Sequence, residues 1–242
     1  MARLLILLYG VVSYLIGVAG LVAIIVTLAG FMPWGFLLDS PSSATSPIIW
    51  NAGLVFLWGL IHTGMARQGF KDVLCKVVPE PAERSTYVLI AGITSVALVG
   101  YWQYIPGQVW HVTTPAAVML LWGLFWFGWV FCLAATFAIN HFDLFGLRQV
   151  FLNYRQMPKP PLNFVKRAMY RYIRHPIQTG VVIGVWATPS MSMTQLILSF
   201  GFTVYIFIGL WYEERDLVES IGQDYVDYKQ ETGKLFPRLF GR

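Results

Sequence analysis

Between Arg84 and Asp143 the chain carries no charged residue. Equally uncharged runs extend from Leu4 to Leu38 and from Pro176 to Tyr212. A helix that crosses the hydrocarbon core of a bilayer needs about 20 predominantly apolar residues. Each run is at least that long, so the expected fold is all-α: a polytopic membrane helical bundle of about five to six transmembrane helices. Composition agrees, with 57% apolar and 12% charged residues, against about 25% charged in a soluble domain.

Local signals divide the runs. The first helix follows Met1-Ala2-Arg3 and is far longer than the apolar core of a signal peptide, about 7–15 residues, so it is read as retained. Pro33, Trp34 and Gly35 mark its outer end. A Ser- and Pro-rich turn follows, from Asp39 to Pro47. A second span covers about Ile48–Met65, and Pro79-Glu80-Pro81 prevents its continuation. Pro106-Gly107 splits the longest run into helices over about Thr86–Tyr104 and Pro115–Ile139. The segment from Asn140 to His175 is polar and basic, made extended in part by Pro158, Pro160 and Pro161. A tight helical pair is then expected, about Ile177–Thr188 and Thr194–Tyr212, ahead of a charged tail that is helical to about Lys229. Two regions emerge: residues 1–140 with about four spans, and residues 141–242 with a helical hairpin and the tail.

Charge orients the bundle. With six crossings, the N-terminus, the 66–85 loop, the 140–175 segment and the tail share one side, and they hold all 17 Lys and Arg. By the positive-inside rule that side is cytoplasmic, with the bacterial inner membrane as the expected location. A hairpin over 177–212 that re-enters without crossing gives the same charge pattern. No nucleic-acid-binding fold or aromatic-basic module accompanies the charge, so nucleic acid is not an expected partner. Cys75 and Cys132 have neither metal-like nor disulfide-like spacing and are read as free thiols.

Chemistry is therefore sought on the basic side. Pro176 suits the first turn of a helix, whose free N–H groups and positive dipole end then follow Arg171, Arg174 and His175. Together these suit an anionic group such as a carboxylate or phosphate; a basic membrane anchor is the plainer alternative. Glu213 and Glu214 sit where an apolar helix ends, a costly place for paired acids unless cations or ligand hydroxyls match them. A salt bridge to Arg174 or Arg215 would also match them. A ligand bearing a carboxylate, an ammonium, a ribose and an aromatic base would use both clusters, with Tyr172, Tyr225 or Tyr228 packing on it.

The ordered motifs Tyr170-Arg171-Tyr172-Ile173-Arg174-His175-Pro176 with Gly180, then Glu213-Glu214 with Leu217, then Gly222 with Tyr225 and Tyr228, resemble the C-terminal signature of the isoprenylcysteine carboxyl methyltransferase superfamily. At Gln178 the chain departs from that superfamily, which usually carries Tyr there. The stretches Leu60 to Arg67 and Asn140 to Gln149 resemble the bacterial branch that holds methanethiol-methylating enzymes and NnrU-type membrane proteins. The resemblance implies S-adenosylmethionine as methyl donor, bound in region 141–242 by Tyr172, Arg174, His175, Pro176, Gly180, Glu213, Glu214, Tyr225 and Tyr228. It implies a small volatile thiol, methanethiol, as acceptor and dimethyl sulfide as product, with no metal. Another thiol, a prenylcysteine carboxylate or a lipid amine is the alternative acceptor, and a non-enzymatic membrane protein the second alternative. For loss of the thiol proton the candidates are His141 with Asp143, and His62, since imidazole titrates in the useful range. Helix capping and a buried structural histidine are the respective plain alternatives. A dry site would favour the neutralisation of charge in such a transfer.

Overall fold

The computed structural model describes residues 1–38, 46–159 and 166–238. Most of the turn expected from Asp39 and the Pro160-Pro161 pair lie outside the described residues. The helices are α1 (Ala2–Leu28), α2 (Pro47–Ala66), α3 (Gln68–Leu74), α4 (Glu83–Gly100), α5 (Pro115–Ile139), α6 (His141–Leu144), α7 (Leu147–Arg155), α8 (Pro176–Trp186), α9 (Met193–Ile221) and α10 (Gln223–Glu231). Two short strands, β1 (Gln108–His111) and β2 (Ser190–Ser192), pair antiparallel with Trp110 opposite Met191. Among the described residues five helices, α1, α2, α4, α5 and α9, are long and apolar enough to cross a membrane. Their outward residues, among them Leu5, Phe56, Met119, Val130, Phe207 and Ile208, are exposed apolar side chains that acyl chains rather than water cover. The protein is an all-α integral membrane protein.

Local chemistry sets the helix starts. Proline occupies the first turn of α2, α5 and α8, where its missing N–H costs nothing. Ser192 caps α9, its Oγ accepting from the Gln195 N–H at 3.1 Å, one of the donors a helix start leaves open. At 11 residues, α8 is about 16 Å long at 1.5 Å per residue, too short for a core of about 30 Å.

The chain forms two compact units, each discontinuous in sequence: residues 1–106 with 141–161, and residues 107–140 with 162–242. In the first, α1 crosses α4 through glycine. A Cβ on Gly20 would lie 2.5 Å from the Gly92 carbonyl oxygen, and one on Gly92 would lie 2.3 Å from that of Ile16. Small residues let helix backbones approach this closely, which suits membrane helices that gain little from hydrophobic association. α7 packs Val150 against Gly10. The polar 140–175 segment thus carries a helix ahead of Pro158, because its apolar positions find α1. α4 ends at Gly100 rather than Tyr104. The Asn51 side chain takes both backbone groups of Gln103, donating to its carbonyl at 2.8 Å and accepting its N–H at 2.9 Å, so Gln103 leaves the helix.

In the second unit, α8 lies on α5 through Gly180 and Gly184. A Cβ on Gly180 would sit 2.5 Å from the Gly128 carbonyl oxygen, and one on Gly184 would sit 2.6 Å from the Trp129 ring. α9 does not stop at Tyr212 but continues to Ile221. Gly222 then turns the chain into α10 at φ +77°, a conformation that residues with a side chain rarely adopt.

Candidate functional site

The continuation of α9 separates the two glutamates. Neighbours on a helix point about 100° apart, and here Glu214 is buried while Glu213 is exposed. Glu214 is matched by cations. Its Oε1 accepts from Arg174 Nε at 2.8 Å and lies 3.1 Å from His175 Nε2. Its Oε2 faces Lys229 Nζ at 3.4 Å and Lys234 Nζ at 3.9 Å. The side chains of Arg174 and Glu214 are each 9% exposed, so this pair is held largely away from water. A buried carboxylate needs such matching, because desolvating it alone is very costly.

Arg174 also reaches the tail. Its Nη1 donates to the carbonyls of Lys229, at 3.0 Å, and of Thr232. The backbone beside it pairs with the tail in parallel: the Arg174 N–H donates to the Gly233 carbonyl at 2.9 Å and that of His175 to the Lys234 carbonyl at 3.1 Å. Thr179 Oγ1 on α8 donates to the Leu235 carbonyl at 2.6 Å. The Arg-His-Pro segment, Glu214 and residues 228–235 therefore form one hydrogen-bonded knot. The salt bridge from the glutamate pair to Arg174 is present, and it uses Glu214.

The tyrosines divide in the same way. Tyr172 is exposed, whereas Tyr225 and Tyr228 are buried on α10 with ring centroids 5.8 Å apart. The Tyr228 hydroxyl donates to the Tyr170 carbonyl. Burial raises the phenol pKa of Tyr228 to about 12, against smaller opposing effects of Arg174 and Thr232. Burial, and secondarily the Glu214 charge, raises that of Tyr225. Both phenols stay neutral and serve as packing and hydrogen-bonding groups. Pro176 is buried at the start of α8, and Gly180 is filled by its contact with α5. Gln178 is half-buried.

The three candidates for proton transfer lie in the first unit. His141, at the start of α6, is buried, with Nε2 3.0 Å from the Tyr14 hydroxyl and its ring 4.7 Å from that of Phe145. Burial lowers its pKa. Asp143 is half-buried, and its backbone carbonyl accepts from Gln149 Nε2 at 3.0 Å. His62 on α2 is half-buried and stacks on Trp58 with centroids 4.0 Å apart. Its Nδ1 lies 2.8 Å from the Trp58 carbonyl. A carbonyl only accepts, so Nδ1 carries the proton, and neutral His62 keeps its lone pair on Nε2. Among the described residues nothing hydrogen-bonds that nitrogen.

Lys229 and Lys234 escape the motif reading. Nothing in their local sequence sets them apart from other tail cations; they reach Glu214 only because Gly233 and Lys234 pair with the Arg174-His175 backbone.

The family model described as "NnrU protein" matches residues 51–236. The chain is 39% identical to "Methanethiol S-methyltransferase" of Mycobacterium tuberculosis, over 98% of this chain and 98% of that protein. It is 37% identical to "Methanethiol S-methyltransferase 2" of Bradyrhizobium diazoefficiens, over 100% and 93% of the two chains. With "Methanethiol S-methyltransferase" of a Pseudomonas species it shares 41% identity, over 79% of this chain and 74% of that one. No solved structure matches.

Proposed function

We propose that this chain, which belongs to the NnrU family, is an integral membrane methyltransferase that methylates methanethiol to dimethyl sulfide. The observation that carries this reading is the 39% identity that runs through 98% of both this chain and a relative named for that activity. The methyl donor in this reading is S-adenosylmethionine. The donor set suits it: cations in excess around Glu214 favour a carboxylate, while exposed Glu213 and Tyr172 offer an acceptor for hydroxyls or an ammonium and a ring to pack on. Bound there, S-adenosylmethionine supplies a methyl group on a sulfonium centre.

The chain's own residues do the rest. Arg174 and Glu214 hold the tail against α8 and so fix the donor groups around them. In the first unit, His62 keeps a lone pair at Nε2, with its tautomer set by the Trp58 carbonyl. His141, whose Nε2 meets the Tyr14 hydroxyl of α1, anchors α6, the helix that carries Asp143. Neutral methanethiol and neutral dimethyl sulfide both partition into lipid, so substrate and product need no aqueous route. The one-sided distribution of Lys and Arg supports a cytoplasmic site in the inner membrane.

Membranes from a host expressing the chain, given methanethiol and methyl-labelled S-adenosylmethionine, test the reading. Labelled dimethyl sulfide in the headspace is the expected result. Its absence, with purified protein folded and present, would reject it; label on a lipid or a longer thiol instead would move the acceptor.

A further inference from the structure

We infer that Lys229 and Lys234 hold the carboxylate of the methyl donor, and that Arg174 acts on that seat as a positioning residue. The inference rests on the reading of the chain as an S-adenosylmethionine-dependent enzyme. Three permanent cations, Arg174, Lys229 and Lys234, come within 4 Å of one carboxylate, Glu214. Arg174 alone neutralises it with a 2.8 Å hydrogen bond. The two lysines are then a surplus of positive charge beside Glu214.

Geometry separates the lysines from the arginine. At 3.4 and 3.9 Å from Glu214 Oε2, neither ammonium is at a normal hydrogen-bond distance, and neither hydrogen-bonds another described residue. Each keeps three donors. Their side chains are 37% and 32% exposed, against 9% for Arg174, so a ligand reaches them more readily. Arg174 has committed Nε to Glu214 and Nη1 to two carbonyls. Those bonds bear on the lysines directly. The Lys229 carbonyl accepts from Arg174, and the Lys234 carbonyl accepts from the His175 N–H. The Arg-His pair thus fixes the backbone of both lysines and leaves their ammonium groups on one side of Glu214. A small anion placed there gains two charge-assisted contacts.

The test compares two ligands that share the adenosine and thioether but differ in the amino-acid end. S-adenosylhomocysteine has the carboxylate, and 5′-methylthioadenosine lacks it. Their affinities are measured by calorimetry on the full chain in phosphatidylcholine nanodiscs, for wild type, Lys229→Met with Lys234→Met, and the corresponding Lys→Arg pair. The Met pair should weaken S-adenosylhomocysteine about 10- to 100-fold, the range for a lost charged contact, and leave 5′-methylthioadenosine within about twofold. The Arg pair should restore most of the loss. Unchanged S-adenosylhomocysteine binding in the Met pair overturns the inference. So does equal weakening of both ligands, which would mean that the lysines only shape the tail. If wild type binds neither ligand, the S-adenosylmethionine reading itself falls, and this inference with it.

Discussion

Glu214 is the residue on which the second unit's polar chemistry converges, and its neighbour Glu213 is the natural control. Removing one partner from a buried ion pair leaves the other charge uncompensated, at about 3–5 kcal/mol. Glu214→Gln should therefore lower unfolding stability by about 3 kcal/mol, measured by denaturation in detergent. Glu213→Gln, on the exposed side of the same helix turn, should stay within about 0.5 kcal/mol. Equal effects would mean that both carboxylates carry the fold. His141 gives a pH signature. Burial holds its folded pKa below 6.5, so just below that pH the unfolded chain binds more protons than the folded one. Its contribution to stability is complete above about pH 6.5 and is lost as pH falls further. Between pH 7 and 5 the unfolding midpoint of wild type should drop more steeply than that of His141→Gln; parallel slopes would contradict the burial.

Among the elements, α8 carries the most constrained sequence for its length. It is too short to span and is held to α5 by glycine contacts that admit no side chain. Gly180→Val should force the two helices apart and cost at least about 1–3 kcal/mol, the usual range for overpacking. Gly209→Ala on α9 is the matched control: its Cβ would meet nothing within 4 Å, and alanine favours a helix over glycine by about 1 kcal/mol. Thermal unfolding of the two variants should move in opposite directions. The Gly180 contact holds α8 on α5, and the same helix start brings His175 and Thr179 onto the tail.

For the whole molecule the testable quantity is sidedness. Cys75 is exposed and Cys132 buried, so the native chain carries one reporter thiol in the 66–85 loop. A membrane-impermeant maleimide should label Cys75 in inverted inner-membrane vesicles and not in intact spheroplasts. The reverse pattern would invert the proposed orientation. Cys75→Ser removes the signal and serves as the blank.

Much of this architecture is written in the sequence. Apolar length and charge gaps are local, and bilayer crossing depends on them directly, so Pro115–Ile139 is read from the chain with the same ends that the structure has. Proline at three helix starts is equally local. The pairing of Arg174 with the glutamates is foreseeable as a charge match. Which glutamate pairs is not, because that depends on α9 continuing unbroken through Glu213 and turning Glu214 inward. Only tertiary contact decides the rest. Gly180 meets Gly128 from 52 residues away, and the Arg174-His175 backbone pairs with Gly233-Lys234, bringing two unremarkable tail lysines to Glu214. The physical reason is that hydropathy and capping are properties of neighbouring residues, whereas matching a buried charge is a property of whatever the fold brings within about 4 Å.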